Sequence, residues 1–240
     1  MSSSLDAKVL LAKLIPRLAA AWTLNAIARR RLSTEDLDGS PRWMWTIGLA
    51  FQSIIVPAMS WLAIVHTPMS LSAWLLAPRA GLSPTDIEVA LALATYFLKD
   101  LVEPQKPLYH LHHVACASMT LGALFAPAAG PSVLFGGALL EVGTACMSAS
   151  RHWPSVTLWR YAFFVGMSAS NFACVVLFVH MLRGGVCPAT VATAYAVVLV
   201  VLLALRQEVC HREFLAWWRM PRTRAVEKMK VRSVQCRVSD

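Results

Sequence analysis

Tyr109-His110-Leu111-His112-His113 opens one long apolar run of the chain, and Glu141 stands in the middle of the next. A charged residue at the centre of a membrane helix costs roughly 2.5–3.5 kcal/mol on insertion scales, so the residues retained there are the first place to look for function. On a helix, Tyr109, His113, Cys116, Thr120 and Leu124 fall on one face. His112 projects about 100° away from His113, which directs the two adjacent rings apart. His110 and His113 are i, i+3 neighbours. Imidazole titrates near neutral pH, which suits a general base or nucleophile. The same rings would serve equally as ordinary hydrogen-bonding groups at headgroup level.

In the next run Glu141, Thr144, Ala145, Ser148 and His152 share a face, a small and polar stripe along an otherwise apolar helix. Glu141 lies about ten residues from either end, or ~15 Å deep. A carboxyl at that depth is expected to be protonated or paired with His112 or His113, or to glue helices together. Further on, Ser168, Asn171 and Cys174 repeat the pattern, and Gly166 and Ser170 permit close helix approach. Asp100, beside Lys99, is either a neighbour of the histidines or a solvated end charge. The candidate catalytic residues are therefore His112, His113 and Glu141. Asp100, Tyr109, Cys116, Thr144 and Asn171 are candidate substrate contacts. A His-His-Glu set from two helices is a weak metal signature, and no metal is expected. The chain has no Cys-x-x-Cys pair, no Gly-rich phosphate loop, no Gly-x-Ser-x-Gly elbow and no intramembrane lysine for a Schiff base.

These residues need a membrane scaffold to position them. Hydrophobic residues make up 57% of the 240 and charged residues 15%, with a mean hydropathy of +0.56; soluble domains carry about 25% charge. Runs near the ~20 residues needed to cross a bilayer predict an all-α, polytopic protein with six transmembrane helices. They fall at about 44–65, 87–103, 109–127, 132–150, 158–182 and 186–205. The second and third have polar residues near one end. Leu71 to Ala77 is too short to span and is expected to re-enter or lie at the interface. The domain reading is a basic N-terminal segment (1–43), a transmembrane domain (44–205) and a basic tail (206–240).

The net charge of +9 does not point to nucleic acid, because of where it sits. All of the 22 Lys and Arg except Arg79 and Arg183 fall in the two tails or in alternate loops. The positive-inside rule then places both termini in the cytosol, and anionic lipid headgroups are the natural partners of the basic ends. Leu5 to Arg31 is moderately amphipathic, kinked at Pro16, and is read as an interfacial helix, with a transit peptide as the rival. Three of the six cysteines lie inside spans and Cys187 at a span edge, so no disulfide framework is implied.

Tyr96-Phe97-Leu98-Lys99-Asp100-Leu101, then Tyr109-His110-Leu111-His112-His113-Val114, then Leu140-Glu141-x-x-Thr144 resembles the TLC-domain family, which includes the ceramide synthases and other multi-pass membrane proteins. The resemblance covers about 44–205. It implies a helical bundle around a lipid-sized cavity, with His112 and His113 at the family's histidine pair. In ceramide synthases that pair belongs to an acyl-transfer site using acyl-CoA, assisted by acids in the following span. Here Ser132 to Ala138 holds no His-Asp, and Ala145 follows Thr144 where a proline is expected. The chain therefore looks more like the non-synthase members, which are linked to membrane lipid composition.

Three functions are carried forward. The first is lipid homeostasis through binding or modifying a long-chain lipid, with no cofactor. The second is an N-acyltransferase with acyl-CoA as co-substrate. The third is a proton-coupled transporter, which no inverted repeat supports. Family analogy suggests the endoplasmic reticulum or plasma membrane.

Overall fold

Helix after helix begins where the local chemistry dictates. The computed structural model describes residues 6–78, 82–126, 128–185 and 187–219, and those residues form helices with no strand longer than an isolated bridge. Arg79, Cys236 and the basic residues from Arg222 onward lie outside the described residues. Asp6 caps α1 (Ala7–Arg31) by accepting from the Lys8 N–H at 3.0 Å. α2 (Arg42–Ala50) passes through a π turn (Phe51–Ile55) into α3 (Val56–Val65). Pro57 has no N–H and its ring crowds the carbonyl four residues back, which accounts for the shifted ladder. A short α4 (Leu71–Leu75) follows, then α5 (Pro84–Lys99), which opens with a capping box between Ser83 and Asp86. α6 (Pro107–Ala123), α7 (Gly130–His152), α8 (Thr157–Arg183) and α9 (Ala189–Trp218) complete the bundle.

Five of the described helical stretches are long and apolar enough to cross a membrane: Ala7–Arg31, Arg42–Val65, Gly130–His152, Thr157–Arg183 and Ala189–Trp218. The set differs from the six runs read from the sequence at both ends of the scale. α5 and α6, where polar residues intrude, are 16 and 17 residues long and fall short. α1, read as an interfacial helix, meets the length. It lies lengthwise beside α5 and parallel to it. Lys13 and Arg17 pair with Glu88 near the start of α5, while Arg29 pairs with Glu103 just beyond its end. Asn25, buried in that seam, donates to Asp100 at 3.4 Å and to Glu103 at 3.3 Å. α1 runs through Pro16 as one helix. Leu71–Leu75 is short, as expected, and packs on α7 through the Ser132 hydroxyl, which donates to the Leu75 carbonyl at 2.7 Å.

α7 is the central element, because its small residues let neighbours approach. A Cβ on Gly143 would stand 2.4 Å from the Ser170 hydroxyl and 3.0 Å from the Met167 backbone of α8. A Cβ on Gly166 would stand 2.7 Å from the Cys146 sulfur. The close approach anticipated from Gly166 and Ser170 is present. Phe97, Leu93 and Tyr96 of α5 fill the space between α7 and α2–α3, with Tyr96 stacked on Phe51 at 4.2 Å.

Gly143→Ala is expected to lower stability by about 1–3 kcal/mol, the usual cost of overpacking. Gly122→Ala, with nothing within 4 Å of its added carbon, is expected to cause no loss. Thermal unfolding of both variants in detergent checks the pair; equal losses would contradict the packing described.

Candidate functional site

The site starts from a cation that the sequence pattern assigns to the tail. Arg206 lies within α9 and is buried. Its guanidinium donates to the Asn171 side-chain oxygen at 3.2 Å, the Thr144 hydroxyl at 2.9 Å and the Leu140 carbonyl at 2.7 Å. Three acceptors from two helices fix its direction, as a planar fork of donors allows. Gln207 reinforces it by accepting from Asn171 at 3.0 Å and donating to Ser168 at 3.1 Å. Asn171 and Thr144 are thus the supports of Arg206. Asn171, expected as a substrate contact, lines neither cavity below and stands behind the guanidinium.

Glu141 is 2% exposed, and its Oε2 has no hydrogen-bond partner among the described residues. The expected pairing with His112 or His113 is not seen: among the described ion pairs within 4.0 Å, none involves Glu141. Arg206 acts on the carboxyl through space, and Gln52 sits beside it. Gln52, carried by the π turn, donates to the Tyr96 hydroxyl at 2.9 Å and accepts from Ser148 at 3.1 Å. The π turn therefore aims a polar side chain at mid-bundle, the setting in which such turns are common.

The two histidines do converge. Their ring centroids are 5.7 Å apart, and both rings line one cavity of about 360 Å³ together with Asp100, Tyr109, Glu141, Thr144 and Arg206. The helical offset that was expected to separate them is absorbed by the width of this space. The His113 Nδ1 is buried and has no hydrogen-bond partner among the described residues. His112 contacts the Cys116 sulfur at 3.7 Å and meets Phe97 edge-on at 6.1 Å. It also borders a second cavity of about 70 Å³, which Cys116, Leu140 and Glu141 share in lining. His110 turns away and contacts the Glu103 carbonyl at 3.1 Å. Asp100 is buried beside Lys99 with which it pairs, so it is a cavity wall and not a solvated end charge.

Tyr109 is set from outside the bundle. The left-handed pair Asp38 (φ 61°) and Gly39 (φ 80°) turns the loop before α2 so that Asp38 receives Lys106, the Tyr109 hydroxyl at 2.9 Å and Arg151 at 3.1 Å. Arg151 also pairs with Glu213 of α9. One carboxylate thus joins the loop, α6 and α7 and fixes Tyr109, which lines the larger cavity. Burial raises the Asp38 pKa, but the bond from Lys106, the charge of Arg151 and the Tyr109 hydroxyl outweigh it and leave the group below its ordinary value of 3.8.

The assembled groups offer proton exchange at imidazole, a carboxyl with a spare oxygen and a fixed cation able to steady developing negative charge. No group of three or more His, Cys, Asp or Glu among the described residues is arranged to hold a metal ion. Gln52 and Arg206 are not among the residues that spacing selects. The signal for Arg206 was the buried stripe Leu202, Arg206, Cys210 at i, i+4, i+8, which continues the apolar face of α9 beyond Leu205.

Because the Asp38 carboxyl is depressed in the folded protein, its stabilising contribution is present above its unfolded value and is lost as pH falls through the folded one. Asp38→Asn is expected to lower Tm at pH 7, and the gap from wild type is expected to close as pH falls below 3.8. Thermal melts across pH check this; a gap that does not depend on pH would contradict it. Compared with protein-family models, curated proteins and solved structures, the chain has no match.

Proposed function

We propose that this is a multi-pass membrane protein that binds or modifies a long-chain lipid in an intramembrane cavity and so acts in membrane lipid homeostasis. One observation carries the reading. The larger cavity has largely apolar walls, yet Glu141 and His113, whose Oε2 and Nδ1 are buried and unpartnered among the described residues, belong to its lining. Buried polar atoms without partners cost about 1–3 kcal/mol each, which a ligand carrying donors and acceptors would relieve. Val197 and Val201 of α9 and Leu111 of α6 belong both to the cavity lining and to the exposed apolar surface. A hydrocarbon chain entering sideways from the bilayer would meet them first. The resemblance to TLC-domain proteins points the same way.

The cationic residues Arg29, Lys106, Arg151 and Arg160 gather at one end of the bundle, which we place on the cytosolic side in contact with anionic headgroups. Because α1 runs parallel to α5, Lys13 and Arg17 stand at the opposite end. A spanning α1 would then set the N-terminus across the membrane from α9's end.

Acyl transfer from acyl-CoA to a long-chain amine is the second reading. The unpartnered Nδ1 of His113 favours it, since a ring nitrogen not engaged by the protein, on a residue that lines the cavity, is what a base or nucleophile needs.

Purified protein is expected to retain lipid that mass spectrometry detects, and Glu141→Gln or Arg206→Met to lower that retention about tenfold, roughly 1.4 kcal/mol. Retained lipid that neither substitution changes in a folded variant would sink the proposal. Amide product formed from labelled acyl-CoA, and lost in His113→Ala, would select the second reading.

A further inference from the structure

The two cavities are neighbours with different chemistry. Phe97, His112, Glu141 and Leu202 line both and form the waist between them. The larger one is lined by His113 and Arg206 as well as by Glu141. On the smaller side, polar side chains are turned to backbone. Thr120 donates to the Cys116 carbonyl at 2.7 Å, Ser132 to the Leu75 carbonyl at 2.7 Å and Cys174 to the Gly136 carbonyl at 3.2 Å. Apart from Tyr195 and Cys116, what remains facing the space is apolar, with Leu177, Phe178 and Met181 of α8 and Leu199 of α9 opposite Gly136 and Gly137 of α7. The two glycines leave ordinary contact room. A Cβ on Gly136 would stand 3.5 Å from Leu177, and one on Gly137 would stand 3.9 Å from Leu93.

We infer that the smaller cavity receives the methyl end of a single hydrocarbon chain whose polar group rests in the larger cavity, and that Gly136 and Gly137 set how long that chain can be. This rests on the lipid-binding reading above. The waist explains why one chain passes and a headgroup does not. Its apolar members, Phe97 and Leu202, accept methylenes, whereas the space beyond is too small for a headgroup and, with Thr120, Ser132 and Cys174 turned to backbone, keeps only Tyr195 and Cys116 as polar lining. The cavity is small, about 70 Å³, so it takes only the last few carbons. A side chain at Gly136 would fill it from the α7 side, with no change to Glu141, His113 or Arg206.

Purified wild type and Gly136→Val are equilibrated with vesicles of phosphatidylcholine and free fatty acids graded in chain length, then reisolated, and their retained lipids are measured by mass spectrometry. Gly122→Val, away from both cavities, is the reference. Wild type is expected to show a sharp upper limit of retained chain length. Gly136→Val is expected to lower the ratio of the longest retained chains to shorter ones at least about tenfold, the discrimination that a methylene commands in an apolar pocket. Should Gly136→Val fail to fold, the wild-type limit alone decides: retention that rises with chain length without a break overturns the inference. An unchanged ratio in a folded variant overturns it while leaving lipid binding intact. Retention of no lipid by wild type overturns both.

Discussion

The bundle is organised around a buried charge. Arg206 is buried among α7, α8 and α9, and its guanidinium is held by Asn171, Thr144 and the Leu140 carbonyl. Taking an ion from water into a low-dielectric interior costs several kcal/mol even after relaxation, and good geometry with additional hydrogen bonds offsets that cost. Those bonds determine which way α9 faces, how closely Gly143 must let α8 approach and why polar residues recur along α7 and α8. Glu141 then stands within the field of that cation without an ion pair to it, its Oε2 buried and without a hydrogen-bond partner among the described residues. An ion pair closed on itself would have been a structural staple; the incomplete one is what the lipid-binding proposal rests on.

A second polar layer ties the helices together beside Tyr109, which lines the same space. Asp38 ties Lys106, Tyr109 and Arg151 together, and Arg151 passes the connection to Glu213 of α9. The helices that line the larger cavity are therefore clamped at one end, by charges outside the apolar stretch, while α6 and α9 present exposed valines and leucines along their length. Rigidity at that end and an apolar flank are compatible with a ligand that arrives through the bilayer and places its polar group inward.

Much of the helix inventory was legible because an apolar run of about 20 residues matches the thickness of a bilayer and is longer than most buried helices of soluble proteins. The runs at 44–65, 132–150 and 158–182 fall within helices of matching extent, while α9 continues to Trp218, well past the expected end at Leu205. That overrun was hidden because Arg206, Gln207 and Glu208 read as the start of a polar tail; only their partners on α7 and α8 show that the first two are buried or half-buried pieces of the core. α1, read as an interfacial helix, also has the length and hydropathy of a span. Lys13 and Arg17, which read as its polar face, are received by Glu88 of α5, and Arg29 by Glu103 just beyond the end of α5.

At the site, the residue types in the sequence were sufficient to select Glu141, His112 and His113, since each is costly at depth. Their relation was not. The expected carboxyl–imidazole contact is replaced by a shared cavity, and the apparent divergence of adjacent rings by a space wide enough for both. Gln52 could not be found from spacing at all, because its aim depends on a π turn that Pro57 imposes. The central claim, that Glu141, His113 and Arg206 bound a lipid-filled space within the bilayer, is tested most directly by an experimental density map of the protein in lipid nanodiscs. The predicted result is elongated density between α6 and α9 that ends beside Glu141 and His113. A space filled by packed side chains, or a Glu141 carboxyl directed at the surrounding lipid tails, would contradict it.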